Sequence, residues 1–82
     1  MIPEELVQFL CCPETRQALQ RAEPGLIAEL NRQIGTAGLR NRAGRQVLEK
    51  LEEGLVPLDR RCLFPVRQEM PVLLPDEAIP LG

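Results

Sequence analysis

The chain has no histidine, no tryptophan and no tyrosine, and its only aromatic residues are Phe9 and Phe64. Without histidine, the commonest general base and thiol activator is missing. A zinc site would have to be built from cysteine and carboxylate alone. With so few aromatics, the core must be assembled from Leu, Val, Ile and Ala, and base stacking on a nucleic acid has little to work with. Cysteine is scarce and odd in number: Cys11, Cys12 and Cys62. Three cysteines, two of them adjacent, make a poor disulfide framework and point to a reducing compartment. No apolar run approaches the ~18 residues that a membrane span requires. The first ten residues contain Glu4 and Glu5 and no basic n-region, so no signal peptide is read there, and the expected location is cytoplasmic. Neither sign of charge dominates. Ten basic and twelve acidic residues leave a net charge of −2, which argues against a chain that grips a nucleic-acid backbone.

What is present is a short, globular-looking sequence of 82 residues with 44% hydrophobic content. It is read as a single domain, residues 1–82. A chain this size buries only about 60% of the surface its unfolded form exposes, so it gains from a metal, a disulfide or a partner chain.

Ile2, Leu6, Phe9 and Leu10 recur at helical spacing and predict a helix over Ile2–Leu10 that stops at Cys11-Cys12-Pro13. Glu14–Ala22 reads as a turn and a brief strand. Pro24 opens a second helix over Pro24–Ile34, with Leu26, Ile27, Leu30 and Ile34 as its apolar positions and Gly35 as its stop. Thr36–Arg45 is polar and reads as a loop. Val47–Glu53 fits both helical and alternating patterns, and local propensity favours helix. The last third holds three short apolar runs, Leu55–Leu58, Cys62–Val66 and Met70–Leu74, parted by three-residue polar stretches, which predict a strand meander. Pro57, Pro65 and Pro71 belong at strand ends, edges or bulges, because proline has no amide donor. The fold class expected is α+β, a small antiparallel sheet with open edges, an N-terminal helix and an inserted helix.

The order of these pieces carries a resemblance. A helix runs into Cys12-Pro13. The chain closes with Gly54-Leu55-Val56, Leu63-Phe64-Pro65-Val66-Arg67 and Met70-Pro71-Val72-Leu73-Leu74. In this it resembles the tRNA methyltransferase 112 homologue family and its short bacterial members, over residues 2–19 and 54–78, with residues 23–53 corresponding to the helical insertion of longer members. The resemblance implies a zinc-ribbon-like core and the role of a methyltransferase activator. In that role a small subunit binds a class I S-adenosylmethionine-dependent methyltransferase and keeps it soluble and active. The sequence departs from the family pattern at two places. Glu69-Met70-Pro71 stands where Gly-Ile-Pro is usual. The first Cys pair of the metal-binding members is reduced to Cys12-Pro13-Glu14-Thr15, and the second half offers Cys62 alone. The chain is therefore read as metal-free, with a degenerate zinc ribbon in which the Pro13 turn, a hydrogen bond from Thr15 and the packing of Cys12 or Cys62 take the place of the ion.

Cys11 and Cys12 suggest a redox pair or nucleophile, but adjacent cysteines bridge only under strain, and the plainer reading is one buried and one partly exposed thiol. Arg40, Arg42 and Arg45 are a local basic cluster that reads either as a contact with RNA or an acidic partner face or as a solvated loop. The carboxylate pairs Glu4/Glu5 and Asp76/Glu77 lack any third group that would make a catalytic site. Met70–Leu74 is different, because five consecutive apolar residues on a strand cannot all face one core: the run is either a docking surface or a strand buried on both faces by the two helices. The sequence thus predicts a non-enzymatic adaptor with no catalytic residue, cofactor or metal, whose protein partner docks on Phe64, Met70, Val72 and Leu74. An RNA- or ribosome-associated accessory module and a self-associating homodimer stay open beside it.

Overall fold

Strand backbone sends successive side chains to opposite faces, and in the computed structural model, which describes residues 3–36 and 38–81, one strand has both of its faces covered. That strand is β3, Cys62–Arg67. Cys62, Phe64 and Val66 point into one apolar cluster, together with Val7, Cys12, Leu19, Leu55 and Ala78. Leu63 points into a second cluster with Leu30, Ile34, Leu39, Val47, Leu51, Val56 and Ile79. The sheet is therefore the middle layer of three, and the fold is α+β with an antiparallel, curled sheet.

On one side β3 pairs with β2, Glu53–Pro57, with Leu55 opposite Phe64, and β2 pairs in turn with β1, Leu19–Arg21. On its other side β3 takes two partners in succession. β5, Ile79–Pro80, lies against its start and β4, Met70–Pro71, against its end. Pro65 sits in the interior of this central strand. Its carbonyl accepts from the Val72 amide at 2.9 Å, on the side where β4 and β5 lie. A residue's amide and carbonyl face the same neighbouring strand, so the donor that Pro65 lacks falls at the gap between β5 and β4 and removes no bond to β2.

The second helix forms where the sequence places it. α2 spans Pro24–Gly35, with Pro24 in its first turn and Leu30 and Ile34, one turn apart, buried against the sheet. It covers the face that carries Val56 and Leu63. The stretch between α2 and β2 completes that cover without forming a helix. Leu39, Val47 and Leu51 are buried, the Val47 amide donates to the Leu39 carbonyl at 2.9 Å, and Arg40 bridges Gln46 around a turn where Gly44 adopts φ 80°. The helix that local propensity favours at 47–53 is replaced by irregular chain, bent at Glu49 and Glu52, leading into β2. The cause is Asn31 on α2. Its side-chain amide accepts from the Leu51 N–H at 2.7 Å and donates to the Leu51 carbonyl at 2.9 Å, taking both backbone groups a helix would use.

The opposite face is covered by the N-terminal segment. Its α-helix is a single turn, α1, Glu4–Val7, shorter than the predicted Ile2–Leu10; Ile2 lies outside the described residues. The chain straightens early because Cys11 bridges Ala18 and the Cys12 amide donates to the Gln17 carbonyl at 2.8 Å, which ties this stretch to β1. Arg21 of β1 links the layers, reaching Glu4 and Glu53 at 2.8 Å each. The predicted strand Met70–Leu74 is shorter than expected. The strand ends at Pro71, followed by the single bond from the Val72 amide to β3, and the chain then turns through a 3-10 helix at Pro75–Glu77 before β5. No helix among the described residues is long and apolar enough to cross a membrane.

Candidate functional site

The four side chains singled out from the sequence divide between core and surface. Phe64 is 0% exposed and is one of the largest fully buried side chains. Its place in a docking surface is therefore corrected, because β3 is covered on both faces and Phe64 fills one of the two clusters. Met70 is 68% exposed and Leu74 is 61% exposed, while Val72 is half-buried. Between them Leu73 turns inward and packs on the Phe64 cluster. The run thus alternates in the way five consecutive apolar residues on extended chain must, with one set seated on the core and the other facing solvent.

Two residues of α1 and its extension join this picture without having been singled out. Phe9 is 79% exposed and Leu6 is also exposed, although the helical spacing assigns both to the buried face. Val7 takes that place instead, and Leu10 packs on the same cluster as Leu73. Two separate segments, 6–10 and 70–74, therefore border one cluster and each carries large apolar side chains in water. The signal in the sequence was a helical pattern too short to settle which face is buried.

The basic residues do not converge. Arg40 donates to the Gly44 carbonyl of its own loop at 2.8 Å, Arg42 is ion-paired with Glu14, and Arg45 is exposed. A groove of about 330 Å³ beside α2 is lined by Ile27, Ala28 and Pro24, and of its polar groups Arg21, Asn31, Glu52 and Glu53 all but Glu52 are hydrogen-bonded within the fold.

The cysteines are arranged differently from the adjacent pair in the sequence. Cys11 is exposed, whereas Cys12 and Cys62, fifty positions apart, are both buried in one cluster and line one cavity of about 170 Å³. Glu14, Thr15, Arg42 and Asp59 help complete its wall. Burial pushes the Cys12 thiol up, but hydrogen bonds from the Thr15 hydroxyl and from the Thr15 and Glu14 amides outweigh it and hold Cys12 below the usual thiol range. Burial pushes Cys62 up, opposed in part by the positive charge of Arg42. The donor set does not suit a four-ligand zinc ion. Beside its two thiols it offers only the carboxylates of Glu14 and Asp59, which are ion-paired with Arg42 and Arg61, and the Arg42 guanidinium already places a cation at the sulfurs. Among the described residues no three His, Cys, Asp or Glu side chains gather as a metal site.

The class defined by this geometry is a small α+β half-barrel with an apolar rim. No protein-family model matches the chain, and no curated protein matches it significantly. Among solved structures it is similar to the solution NMR structure of XF2673 from Xylella fastidiosa, at 34% sequence identity and a TM-score of 0.76 over 96% of this chain and 81% of that one. The chain belongs to the same family as XF2673.

Proposed function

We propose that this chain is a non-catalytic adaptor whose partner protein docks on the rim formed by Met70, Val72 and Leu74. The observation that carries the reading is the exposure of Met70 and Leu74 beside a core that is already closed by Leu73 and Phe64. Large apolar side chains held in water on ordered backbone are a cost unless another surface covers them. Among the described residues no strand pairs with the outer edge of β4, and a partner strand added there would lie along these side chains.

The partner class follows from the resemblance to methyltransferase activators and is a class I S-adenosylmethionine-dependent methyltransferase. One feature of the backbone supports that resemblance. Glu69, where the family pattern has glycine, adopts φ 62°, the left-handed conformation in which glycine is at ease. The adaptor would act by mass action, stabilising the folded state of its partner.

The test is capture of the tagged chain from its own cell extract, side by side with the Met70→Glu/Leu74→Glu variant. Stoichiometric recovery of a methyltransferase by the wild type and its loss from the folded variant supports the reading. Recovery of no stoichiometric partner, with a clean homodimer in light scattering, overturns it.

A further inference from the structure

The cavity shared by Cys12 and Cys62 has no part in the docking rim, and its two sulfurs are the strongest nucleophiles in its wall. The turn that follows Cys12 is closed by its backbone: the Arg16 amide donates to the Cys12 carbonyl at 2.8 Å and Arg16 itself takes φ 61°, and Thr15 lines the cavity beside the thiol. Cys62 opens β3 on the other wall, directly after the second left-handed turn, where Arg60 takes φ 55°. Arg42 enters from the loop between α2 and β2. Its amide is fixed to the Ala78 carbonyl at 2.9 Å and its guanidinium pairs with Glu14 at the cavity wall. Three chain segments thus bring two sulfurs and a cation to one small opening.

We propose that Cys12 and Cys62 form a redox-sensitive thiol pair that hydrogen peroxide entering this cavity converts to an intramolecular disulfide. The Cys12 thiolate attacks one peroxide oxygen. An S–O bond forms, the O–O bond breaks, and the departing hydroxide takes up a proton and leaves as water. Cys62 then attacks the sulfur of the resulting sulfenic acid. The S–S bond forms, the S–O bond breaks, and the Cys62 proton leaves with the hydroxyl as a second water. Two thiols lose two electrons and one peroxide is reduced to two waters. Thr15 and Arg42 are positioning residues: the hydroxyl favours the anionic form of Cys12, which attacks first, and the guanidinium favours that of Cys62, which attacks second. Cys11 takes no part, because it lies outside the cavity and is exposed.

The bridge would tie the start of β3 to the turn after the N-terminal segment, closing the chain between residues 12 and 62. That link raises the resistance of the folded state to unfolding by restricting the unfolded chain. A disulfide tolerates only a narrow range of Cβ separation, about 3.5–4.5 Å, so its formation in the native protein is a strict test of the pairing.

The experiment treats the full-length Cys11→Ser chain, reduced and folded, with a slight excess of hydrogen peroxide. Remaining thiols are then alkylated and the peptides mapped by mass spectrometry. The expected product is a monomer with a linked Cys12–Cys62 peptide pair, lighter by two hydrogens and reopened by dithiothreitol. Cys62→Ala is expected to leave Cys12 as a sulfenic acid that dimedone captures. Thr15→Val and Arg42→Gln slow bridge formation severalfold, and Thr15→Ser restores it. Recovery of both thiols alkylated after peroxide overturns the proposal. So does oxidation of Cys12 to sulfinic acid in the Cys11→Ser chain with no bridge. Because the bridge is mapped on the Cys11→Ser chain itself, misfolding of the Cys62→Ala variant changes neither outcome.

Discussion

Asn31 holds the Leu51 backbone through both edges of its amide, and Leu51 is a core residue. Asn31→Ala leaves a half-buried N–H and C=O without these partners, and a loss of about 1–3 kcal/mol in urea unfolding is expected. Gly54 is the second residue on which the packing turns. A Cβ there would stand 2.7 Å from a Leu63 side-chain carbon, and Leu63 is fully buried. Gly54→Ala is therefore expected to cost about 1–3 kcal/mol by overpacking, read as a lower thermal midpoint. Leu63→Val in the same chain should return part of the loss, since the two positions share one contact. The sulfurs differ in their titration. Thiolate is the reactive form, and Cys12 is held below the usual thiol range while Cys62 is pushed above it. As pH rises, the alkylation rate of Cys12 should climb at a lower pH than that of Cys62, in a titration with a small alkylating reagent.

At the scale of elements, the two-residue turn between β3 and β4 is under strain. Arg67 faces Met70, and the residues between them, Gln68 and Glu69, both take left-handed backbone, with φ 52° and 62°. This is the primed hairpin geometry that Asn-Gly fills most readily. The double change Gln68→Asn and Glu69→Gly is expected to raise stability by about 1–2 kcal/mol, measured by denaturant titration. The sequence made some elements legible and hid others for definite reasons. α2 was legible because Pro24, the Leu30–Ile34 spacing and Gly35 all act within the helix itself. Residues 47–53 were not, because the group that holds the Leu51 backbone out of a helix is Asn31, twenty positions before it. β5 was missed because two residues have no periodicity, and the burial of Ile79 comes from its pairing with Leu63. Phe64 was misplaced because alternation tells which residues share a face but not that a separate layer covers each face of β3.

The whole molecule is a thin sheet closed on both sides by short segments, and its surface features come from different parts of the chain. Met70 and Leu74 were readable as candidates because a run of five apolar residues exceeds what one face can bury. The exposure of Phe9 was not, since it depends on α1 ending after a single turn. The cavity joining Cys12 and Cys62 was invisible as well, because only the folded sheet brings positions fifty apart to one wall. The docking rim is tested most directly by the affinity of a purified co-captured partner for the wild type and for Met70→Glu/Leu74→Glu, with folding of both checked by circular dichroism. A loss of at least about 2 kcal/mol, roughly thirtyfold in Kd, is expected for the variant, as for anchors at an interface centre. Equal affinity of the two folded proteins would contradict the assignment of this rim as the partner surface.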